Sequence, residues 1–565
     1  MAKTLYDRFD ILNDVRLVHN YLIRMQDPRH DHLPYWLIGM NENPAWARHC
    51  KVDDAELVAS WYEALVCSME MLGTSEGADV LAGFQRHLMN SWGEHGLRYS
   101  HRFPWTHTIH SSFHEMGYVL PALIRWLERE PDNAQLRERL TGLIRGMRGL
   151  VRERKTRSFW SGDFPFETPI YEFPNDLYTE GGWDFTVVTG RGEEAVRNGI
   201  LLHSLARAYQ LFGDETALDL ARGLANHLIG ISRYFNWKGE FFGHVHSAVW
   251  AAAGLVLLGR LTGEAQYAEK GRQVFRYVLG MSSSFGWVPE YAQWHPMEEE
   301  HCETCCIRDM ILCAFELIDA GYDEYWDVIN RFARNQLSEQ QIKTGVFVGV
   351  DNGLADTEDT TYRDIDKRIV GGYSGGAEPN SISIKRFRSV AGCCVGTAPQ
   401  ALYQVYNAIV TEKAGGVFVN LPIDRDDKRA RVTTGYPNEG WMKVTAGRQG
   451  DFSLRLHPFM KNPRLSVNGA DRPVSPKDGC LLVPGAAKGT EILLSHDLRN
   501  ETRKEVVRGT EYKVVWRGCD VVKILPEGED LRLYQRTAGA KRYPAPPERT
   551  PVSTGFDARP TEQRK

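Results

Sequence analysis

Several hallmarks of specialised protein classes are missing from this 565-residue sequence. No apolar run approaches the roughly 20 residues that cross a bilayer. The N-terminal segment, which begins Met1-Ala2-Lys3-Thr4, lacks the apolar core of a secretory signal. Basic residues are not in excess, because 68 Lys and Arg face 73 Asp and Glu, whereas nucleic-acid binders usually have a basic surplus. These absences predict a cytoplasmic protein with neither membrane nor nucleic-acid partners.

Paired amphipathic helices are indicated over most of the first 410 residues. Apolar residues recur at helical spacing and stop at Gly213-Asp214 and again at Gly263-Glu264, about 50 residues later. A helical hairpin that recurs at such a period indicates stacked neighbours. We predict that the hairpins close as an (α/α) barrel or toroid, with an open solenoid as the alternative.

The period changes from helical to alternating after Gly415-Gly416. Short apolar segments such as 417–421 are separated by Gly, Pro, Asn and Asp turns, a pattern typical of a β-sandwich or barrel. The fold class predicted is therefore mainly α with a β domain. We expect a helical domain at 1–412, a β-sandwich domain at 413–537 and a disordered tail at 538–565.

The ten cysteines are unevenly distributed. Six of them lie in two clusters, namely Cys302, Cys305, Cys306 and Cys313, and Cys393 and Cys394. Adjacent cysteines seldom bond to each other because the ring is strained, and a cytoplasmic protein rarely contains structural disulfides. Thiolates with one carboxylate or imidazole make a four-coordinate zinc site. Metal binding or thiol chemistry is therefore predicted, with buried, inert cysteines as the alternative.

Two of these motifs carry a family resemblance. Glu303-x-Cys305, followed about 90 residues later by Cys393-Cys394, resembles glycoside hydrolase family 127, the zinc-dependent β-L-arabinofuranosidases and their relatives. The Gly-His helix at 242–264 is similar to that family in register. The resemblance implies an (α/α)6 barrel followed by β-sandwich domains, in agreement with the periodicity.

The resemblance also implies a metal site and a nucleophile. Glu303, Cys305, Cys393 and Cys394 would bind Zn²⁺, and Cys393 would attack the anomeric carbon to give a thioglycosyl intermediate. The chemistry is reasonable because a metal holds sulfur as thiolate at neutral pH, and water can then resolve the intermediate.

Retention of configuration needs a second group, which protonates the departing oxygen and then activates water. The residue that matches the family's glutamate is Glu290, which precedes Glu303 by a spacing a few residues shorter than in the family. The run Glu298-Glu299-Glu300 offers rivals, although such a charged run is more typical of a solvated surface.

Four residues are expected to contact substrate, three of them at positions that the resemblance indicates. His244 matches a family histidine, with helix capping as its alternative role. The family resemblance implies a β-L-arabinofuranoside or a related sugar as the substrate. Tyr118 and Asn198 stand where the family has two further histidines; both can hydrogen-bond a hydroxyl, but neither repeats the imidazole geometry, which is a departure from the arabinofuranosidase pattern. Tyr373, in a Gly-rich loop, would contact the sugar or the nucleophile, or be an ordinary loop residue.

A cluster of histidines precedes one predicted helix, namely His101, His107, His110 and His114. Its aromatic surroundings favour cleft lining or packing over metal binding.

The sequence thus predicts a zinc-dependent retaining glycoside hydrolase acting on a small carbohydrate. The alternatives are a non-catalytic carbohydrate-binding protein with a structural zinc, a polysaccharide lyase, and a thiol redox switch. The β-sandwich is a candidate surface for a homodimer. No motif specifies the sugar, its linkage or exo against endo action.

Overall fold

The computed structural model describes residues 4–50, 53–93, 95–106, 109–159, 162–165, 169–173, 177–179, 182–184, 195–293, 301–385 and 389–540. Its α-helices, numbered in chain order, are α1 (Ile11–Arg24), α2 (Val58–Leu72), α3 (Ala78–Met89), α4 (Phe113–Arg129), α5 (Ala134–Leu150), α6 (Ile200–Phe212), α7 (Glu215–Asn226), α8 (Val245–Thr262), α9 (Ala265–Met281), α10 (Thr304–Asp319), α11 (Trp326–Phe332), α12 (Ile365–Arg368) and α13 (Gly392–Ile409).

Six of these helices form a closed inner ring. α2, α4, α6, α8, α10 and α13 each pack against the next, and α13 packs against α2. α1 and α3 lie outside α2, while α5, α7 and α9 lie outside α4, α6 and α8. The predicted (α/α)6 barrel is therefore confirmed, and the contact between α13 and α2 rules out the open solenoid.

Inner and outer helices differ in how they are buried. α8 is buried continuously from Val245 to Gly259, as expected of a helix that is apolar all round. α5, on the outside, buries a single stripe that includes Leu136, Leu140 and Leu143. Of the described helices, α8 alone has the length and mean hydropathy (1.3) of a membrane span, and 83 % of that stretch is buried inside the protein.

The hairpin junctions follow from local sequence. α6 ends at Gly213, whose φ of 67° lies in the left-handed region that glycine adopts without strain. The Asp214 side chain then accepts a hydrogen bond from the backbone N–H of Ala217 at 3.0 Å and caps α7. α8 ends in the same way at Gly263, with a φ of 74°. The predicted turns between paired helices are confirmed at both places.

Short strands connect the barrel helices. They are β1 (Gln26–Asp27), β2 (Leu33–Pro34), β3 (Leu37–Gly39), β4 (Trp46–Arg48), β5 (His110–Ser111), β6 (Arg152–Glu153), β7 (Thr156–Phe159), β8 (Gly162–Pro165), β9 (Tyr171–Glu172), β10 (Leu177–Thr179), β11 (Gly182–Asp184), β12 (Gly243–His244), β13 (Tyr291–Ala292), β14 (Thr360–Thr361) and β15 (Ser381–Ile382).

Longer strands follow the last helix. They are β16 (Val410–Lys413), β17 (Gly416–Val419), β18 (Arg425–Asp426), β19 (Ala430–Thr434), β20 (Trp441–Ala446), β21 (Gly450–Arg455), β22 (Lys461–Val467), β23 (Ala470–Arg472), β24 (Cys480–Ala486), β25 (Glu491–Asp497), β26 (Asn500–Val507), β27 (Thr510–Arg517), β28 (Asp520–Leu525) and β29 (Leu531–Arg532).

All of these strands except β29, which pairs with β15, form three sheets in the C-terminal region. One has the order β16-β17-β21-β24, a second β18-β19-β20-β25-β22-β23 and a third β26-β27-β28. β20 alternates half-buried and buried residues along its length, the period of a strand with one face on a core. The predicted β-rich region is confirmed. Residues 541–565, most of the tail expected to be disordered, lie outside the described residues.

Buried ion pairs join the barrel to the third sheet. Arg334, which follows α11, lies 3.0 Å from Asp520 at the start of β28. Arg536 contacts both Asp520, at 3.1 Å, and Glu339, at 2.7 Å. All four side chains are buried, so each charge depends on its partners for compensation.

Candidate active site

The predicted metal ligands meet at the N-terminal ends of two inner helices. Glu303 is the N-cap residue of α10 and Cys305 lies in the first turn of that helix. Cys393 and Cys394 lie in the first turn of α13. Helix N-termini present unpaired N–H groups and the positive end of the helix dipole, which favours thiolate over thiol. The fold therefore places anionic ligands where the backbone stabilises them.

The four candidate ligand atoms all lie within 4.8 Å of one another. Cys305 Sγ is 3.5 Å from Cys394 Sγ. Glu303 Oε1 is 3.6 Å from Cys393 Sγ and 3.8 Å from Cys394 Sγ. A tetrahedral ion with metal–sulfur bonds of about 2.3 Å sets its sulfur ligands about 3.8 Å apart. The cluster therefore has the composition and spacing needed to hold one metal ion.

The three thiols of this cluster have different acidities. Hydrogen bonds from Cys305 and Cys394 lower the pKa of Cys393 to about 6. Burial raises the pKa of Cys305 and of Cys394 well above the ordinary thiol value. Of the three thiols, Cys393, the sulfur predicted to be the nucleophile, therefore ionises most readily.

Cys393 opens onto a cavity of about 220 Å³. Glu290, His244, Tyr118 and Glu56 also line it. Convergent polar groups around a pocket of this kind are typical of a binding or catalytic site for a small molecule. The volume suits a single sugar ring better than a stretch of polymer.

Glu290 is held firmly at the edge of this cavity. Its backbone N–H donates to the His301 carbonyl at 3.0 Å, and its own carbonyl accepts from the Val245 N–H at 2.8 Å. Its carboxylate, only 2 % exposed, contacts the His301 imidazole. Oxygen atoms of Glu290 and Glu303 and one imidazole nitrogen of His244 lie within 4.8 Å of each other. Glu290 is thus well placed to exchange a proton next to the thiolate cluster.

His244 faces the carboxylate of Glu303. Its Nε2 lies 3.5 Å from Glu303 Oε2, and its Nδ1 lies 2.9 Å from Ser247 Oγ. It occupies the N-cap position of α8 but makes no capping hydrogen bond with its side chain. The imidazole therefore lies in the cavity, as the substrate-contact interpretation requires.

A second histidine at the same helix start is a functional candidate that the sequence analysis missed. His246 lines the cavity, and its Nε2 lies 2.9 Å from the Tyr118 hydroxyl. Its Nδ1 contacts the Asp309 carboxylate. Burial opposes protonation of His246, but Asp309 outweighs it and raises the pKa of the imidazole. The repeated spacing in His244-Val245-His246 was the available signal.

Two predicted substrate contacts lie elsewhere. Tyr373 is fully buried, and its backbone carbonyl accepts from the Ala391 N–H at 3.2 Å, one residue before α13. Asn198 is 2 % exposed in the π-helical turn Ala195–Gly199 that leads into α6. Within the described part of the chain, neither side chain lines the 220 Å³ cavity.

The members of the predicted histidine cluster also lie in different places. His114 lines the cavity, with Nε2 3.3 Å from Glu56 Oε2, whereas His110 is buried against Glu115 at 2.9 Å. His101 packs edge-on against Phe103. His107 lies outside the described residues, as do the rival carboxylates Glu298, Glu299 and Glu300.

No protein-family model and no curated protein sequence matches this chain. Several solved structures are similar to this chain. A GH127 β-L-arabinofuranosidase from Geobacillus stearothermophilus T6 is 14 % identical with a TM-score of 0.59, over 92 % of this chain and 86 % of that one. A second GH127 β-arabinofuranosidase is 15 % identical with a TM-score of 0.57, over 92 % and 84 %.

A third structure, described as a glycoside hydrolase, is 14 % identical with a TM-score of 0.56, over 86 % of this chain and 83 % of that one. At such identities the likeness establishes the fold. The chain is an (α/α)-barrel protein with a β-rich C-terminal region. More particularly, it has the fold of the GH127 β-L-arabinofuranosidases, so the likeness predicted from the cysteine motifs is confirmed at the level of architecture.

Proposed function

We propose that this protein is a zinc-dependent retaining glycoside hydrolase that acts on a small glycoside, a β-L-arabinofuranoside or a related sugar. The observation that carries the proposal is the convergence of Glu303, Cys305, Cys393 and Cys394 beside a sugar-sized cavity that also contains Glu290. The structural likeness to GH127 enzymes supports the same assignment.

The donor set fits zinc. Three sulfurs and one carboxylate oxygen suit a borderline-soft, four-coordinate ion. When bound, Zn²⁺ would keep the cysteine ligands deprotonated at neutral pH. The Thr397 hydroxyl, 3.3 Å from Cys305 Sγ, would orient that ligand by donating a hydrogen bond to it.

The chain's own residues can perform a double displacement. Cys393 sulfur forms a bond to the anomeric carbon while the bond from that carbon to the leaving oxygen breaks. Glu290 gives its proton to the departing oxygen as the bond breaks. The Glu290 carboxylate then takes a proton from water, whose oxygen bonds to the anomeric carbon and releases the Cys393 thiolate. Two inversions at one carbon leave the configuration retained.

Neighbouring residues would bind and orient the sugar. His244 presents an imidazole beside Glu303, and the Tyr118 hydroxyl, held by His246, faces the same cavity. Glu56 and His114, whose Oε2 and Nε2 lie 3.3 Å apart, line the same cavity. Such hydroxyl and imidazole groups hydrogen-bond sugar hydroxyls and fix the ring for attack.

The proposal is tested by metal analysis and a substrate panel. Protein purified without added metal is expected to contain about one zinc per chain and to hydrolyse an aryl β-L-arabinofuranoside or another member of an aryl glycoside panel. Glu303→Ala is expected to lower both zinc content and turnover. Cys480→Ala, at the start of β24 and outside the cluster, is the matched control and should change neither.

Three outcomes would overturn the assignment. A wild-type protein without zinc would remove the support for a thiolate nucleophile. Sugar binding without turnover of any panel member would favour a carbohydrate-binding protein with a structural zinc. That second candidate is motivated by Tyr118 and Asn198, which stand where the family has histidines. An unsaturated product that absorbs in the near ultraviolet would indicate a lyase instead.

A further inference from the structure

The hairpin of β26 and β27 extends from the C-terminal sheets to the segment that carries Glu290. This segment, residues 282–290, joins α9 to β13 and is called the acid/base loop below. Glu505, on β26, accepts hydrogen bonds from the backbone N–H and the hydroxyl of Ser284, each at 3.1 Å. Directly after the loop, Arg508 Nη2 donates to the Tyr291 carbonyl oxygen at 3.1 Å. The hairpin therefore holds the acid/base loop at both ends.

Tyr291 connects the Arg508 contact to the active site. It follows Glu290 directly and pairs with His244 between β12 and β13. Its side chain lines the catalytic cavity, with the ring centre 5.4 Å from that of His244. Arg508 does not line this cavity in the described part of the chain. The guanidinium therefore reaches the site through the peptide that follows the proposed acid/base.

Arg508 has a backbone conformation that arginine seldom adopts. Together with Gly509 it forms the two-residue turn between β26 and β27, with φ of 50° and 85°. Positive φ at both residues is the mark of a type I′ turn, which favours Asn, Asp or Gly because a larger side chain is strained there. Two other turns with positive φ at both residues contain Asn468-Gly469 and Asp478-Gly479.

The strain at Arg508 points to a role for its side chain. A residue that is unfavourable for its own turn persists where surrounding contacts maintain it, and such residues are concentrated at functional sites. The contact that the structure shows for Arg508 is a charge-assisted hydrogen bond to the Tyr291 carbonyl, and bonds of this kind are stronger than those between neutral groups.

We propose that Arg508 is a positioning residue, which fixes the peptide after Glu290 and so directs the Glu290 carboxylate toward the proposed nucleophile. Proton transfer depends on the orientation of the acid, because a small displacement of a reacting group lowers the rate strongly. The inference rests on the proposed function, since the acid/base role of Glu290 belongs to it.

The first test sets stability against activity. Arg508→Asn removes the guanidinium and supplies a residue that the turn prefers, so the melting temperature should stay at the wild-type value or rise. The kcat/KM for a glycoside with a poor leaving group should nevertheless fall about tenfold. The matched control is Ala414→Asn, at the same place in the turn between β16 and β17 with a φ of 49°. It should be at least as stable as the wild type and keep its kcat/KM.

A lower melting temperature with unchanged kcat/KM in Arg508→Asn would overturn the proposal, because it would mean that the arginine serves only the stability of the hairpin. Arg508→Lys keeps a charged donor and is expected to recover most of the lost activity.

The second test asks whether the loss passes through Glu290. With an activated phenol as leaving group, which departs without a proton, Arg508→Asn should lose less than about twofold in kcat/KM. With the poor leaving group, the double variant Glu290→Gln/Arg508→Asn should be no slower than Glu290→Gln alone, because the two residues act as one unit. Losses that multiply in the double variant, or that are equal for both leaving groups, would overturn the proposal.

Amide hydrogen exchange tests the same contact without turnover. The Glu290 carbonyl accepts from the Val245 N–H, and the Glu290 N–H donates to the His301 carbonyl, so peptides containing these two amides report on the loop. Their exchange should be about tenfold faster in Arg508→Asn and unchanged in Ala414→Asn. Unchanged exchange in Arg508→Asn would overturn the proposal. A wild type that hydrolyses no glycoside would instead refute the proposed function, and exchange would still decide whether Arg508 holds the loop.

Discussion

At the N-terminal ends of the inner helices, four groups able to bind a metal lie within 4.8 Å of one another. Further along the same helices, arginines and carboxylates line a separate cavity. Free backbone N–H groups stabilise anions at the N-terminal ends of these helices. Beyond the first turns the backbone N–H groups are hydrogen-bonded within the helix, so each charged side chain needs a side-chain partner. Glu128, for example, lies 3.0 Å from Arg207.

The buried cysteines of the inner helices differ in acidity. Hydrogen bonds from neighbouring thiols lower the pKa of Cys393, in the first turn of α13. Burial raises the pKa of Cys67 to about 12 and that of Cys313 well above the ordinary value. Cys305 and Cys394 also lie in first turns, yet burial raises the pKa of both. Hydrogen bonds from neighbouring thiols, and not helix position or burial alone, therefore distinguish Cys393.

Replacement of the proposed nucleophile should give the largest effect. Cys393→Ala is expected to lower kcat/KM for an aryl glycoside by about 10⁴-fold or more, because the proposed covalent intermediate forms on the sulfur that this variant removes. Steady-state kinetics measure the loss. Cys313→Ala, on α10 but far from its first turn, is the matched control and should keep wild-type kinetics. Similar losses in both variants would break the comparison between the two regions.

Replacement of the acid/base should give a smaller loss that depends on the leaving group. Glu290→Gln is expected to lower kcat/KM by about 10²–10³-fold for a poor leaving group, because proton donation is lost. The loss should nearly vanish for an activated phenol, which departs without a proton. Measuring both substrates distinguishes the roles. A loss that is the same for every leaving group would contradict the assignment of Glu290.

Much of this architecture could be predicted from the sequence, because helix periodicity and caps are local. The Gly213-Asp214 junction, for example, needs only its own neighbours to form the turn. Ring closure is different. It depends on α13 meeting α2, and periodicity alone left the open solenoid as an alternative.

The site was predicted in part for the same reason. Glu303-x-Cys305 and Cys393-Cys394 were found as motifs, and the structure brings them together. The pattern could not give the rotation of each helix start, so it missed His246, whose partner Asp309 lies 63 residues away. The sequence pattern also could not show that Tyr373 is buried outside the cavity.

A hydrogen-bonded contact in the wall of the catalytic cavity should have an intermediate effect. His246→Gln breaks the link between Tyr118 and Asp309 and is expected to lower kcat/KM about 30-fold. KM should rise more than kcat falls, because Tyr118 is proposed to orient the sugar. Zinc content is the accompanying measurement and should stay at the wild-type value. Loss of the metal would show that His246 supports the fold of the cluster instead.

The smallest effect is expected among the ion pairs far from the active site. Glu316 lies 3.0 Å from His203 and 2.6 Å from Arg260. Burial opposes its ionisation, but His203 and Arg260 outweigh burial and lower the pKa of the carboxyl below 4.5. The ionised group therefore stabilises the folded state above that pH. Glu316→Gln should lower the free energy of unfolding by about 1 kcal/mol at neutral pH.

The sign of the pH dependence makes this prediction specific. Because the folded pKa is lower than the unfolded one, the stabilisation is lost as pH falls below about 4.5 and through the folded value. In urea unfolding, the difference in the free energy of unfolding between wild type and Glu316→Gln should therefore become smaller on acidification. Glu501→Gln, which breaks an exposed pair with Arg503 at 2.8 Å, should cost less than about 0.5 kcal/mol. A difference in unfolding free energy that increases in acid would mean that the partners of Glu316 do not stabilise its charge.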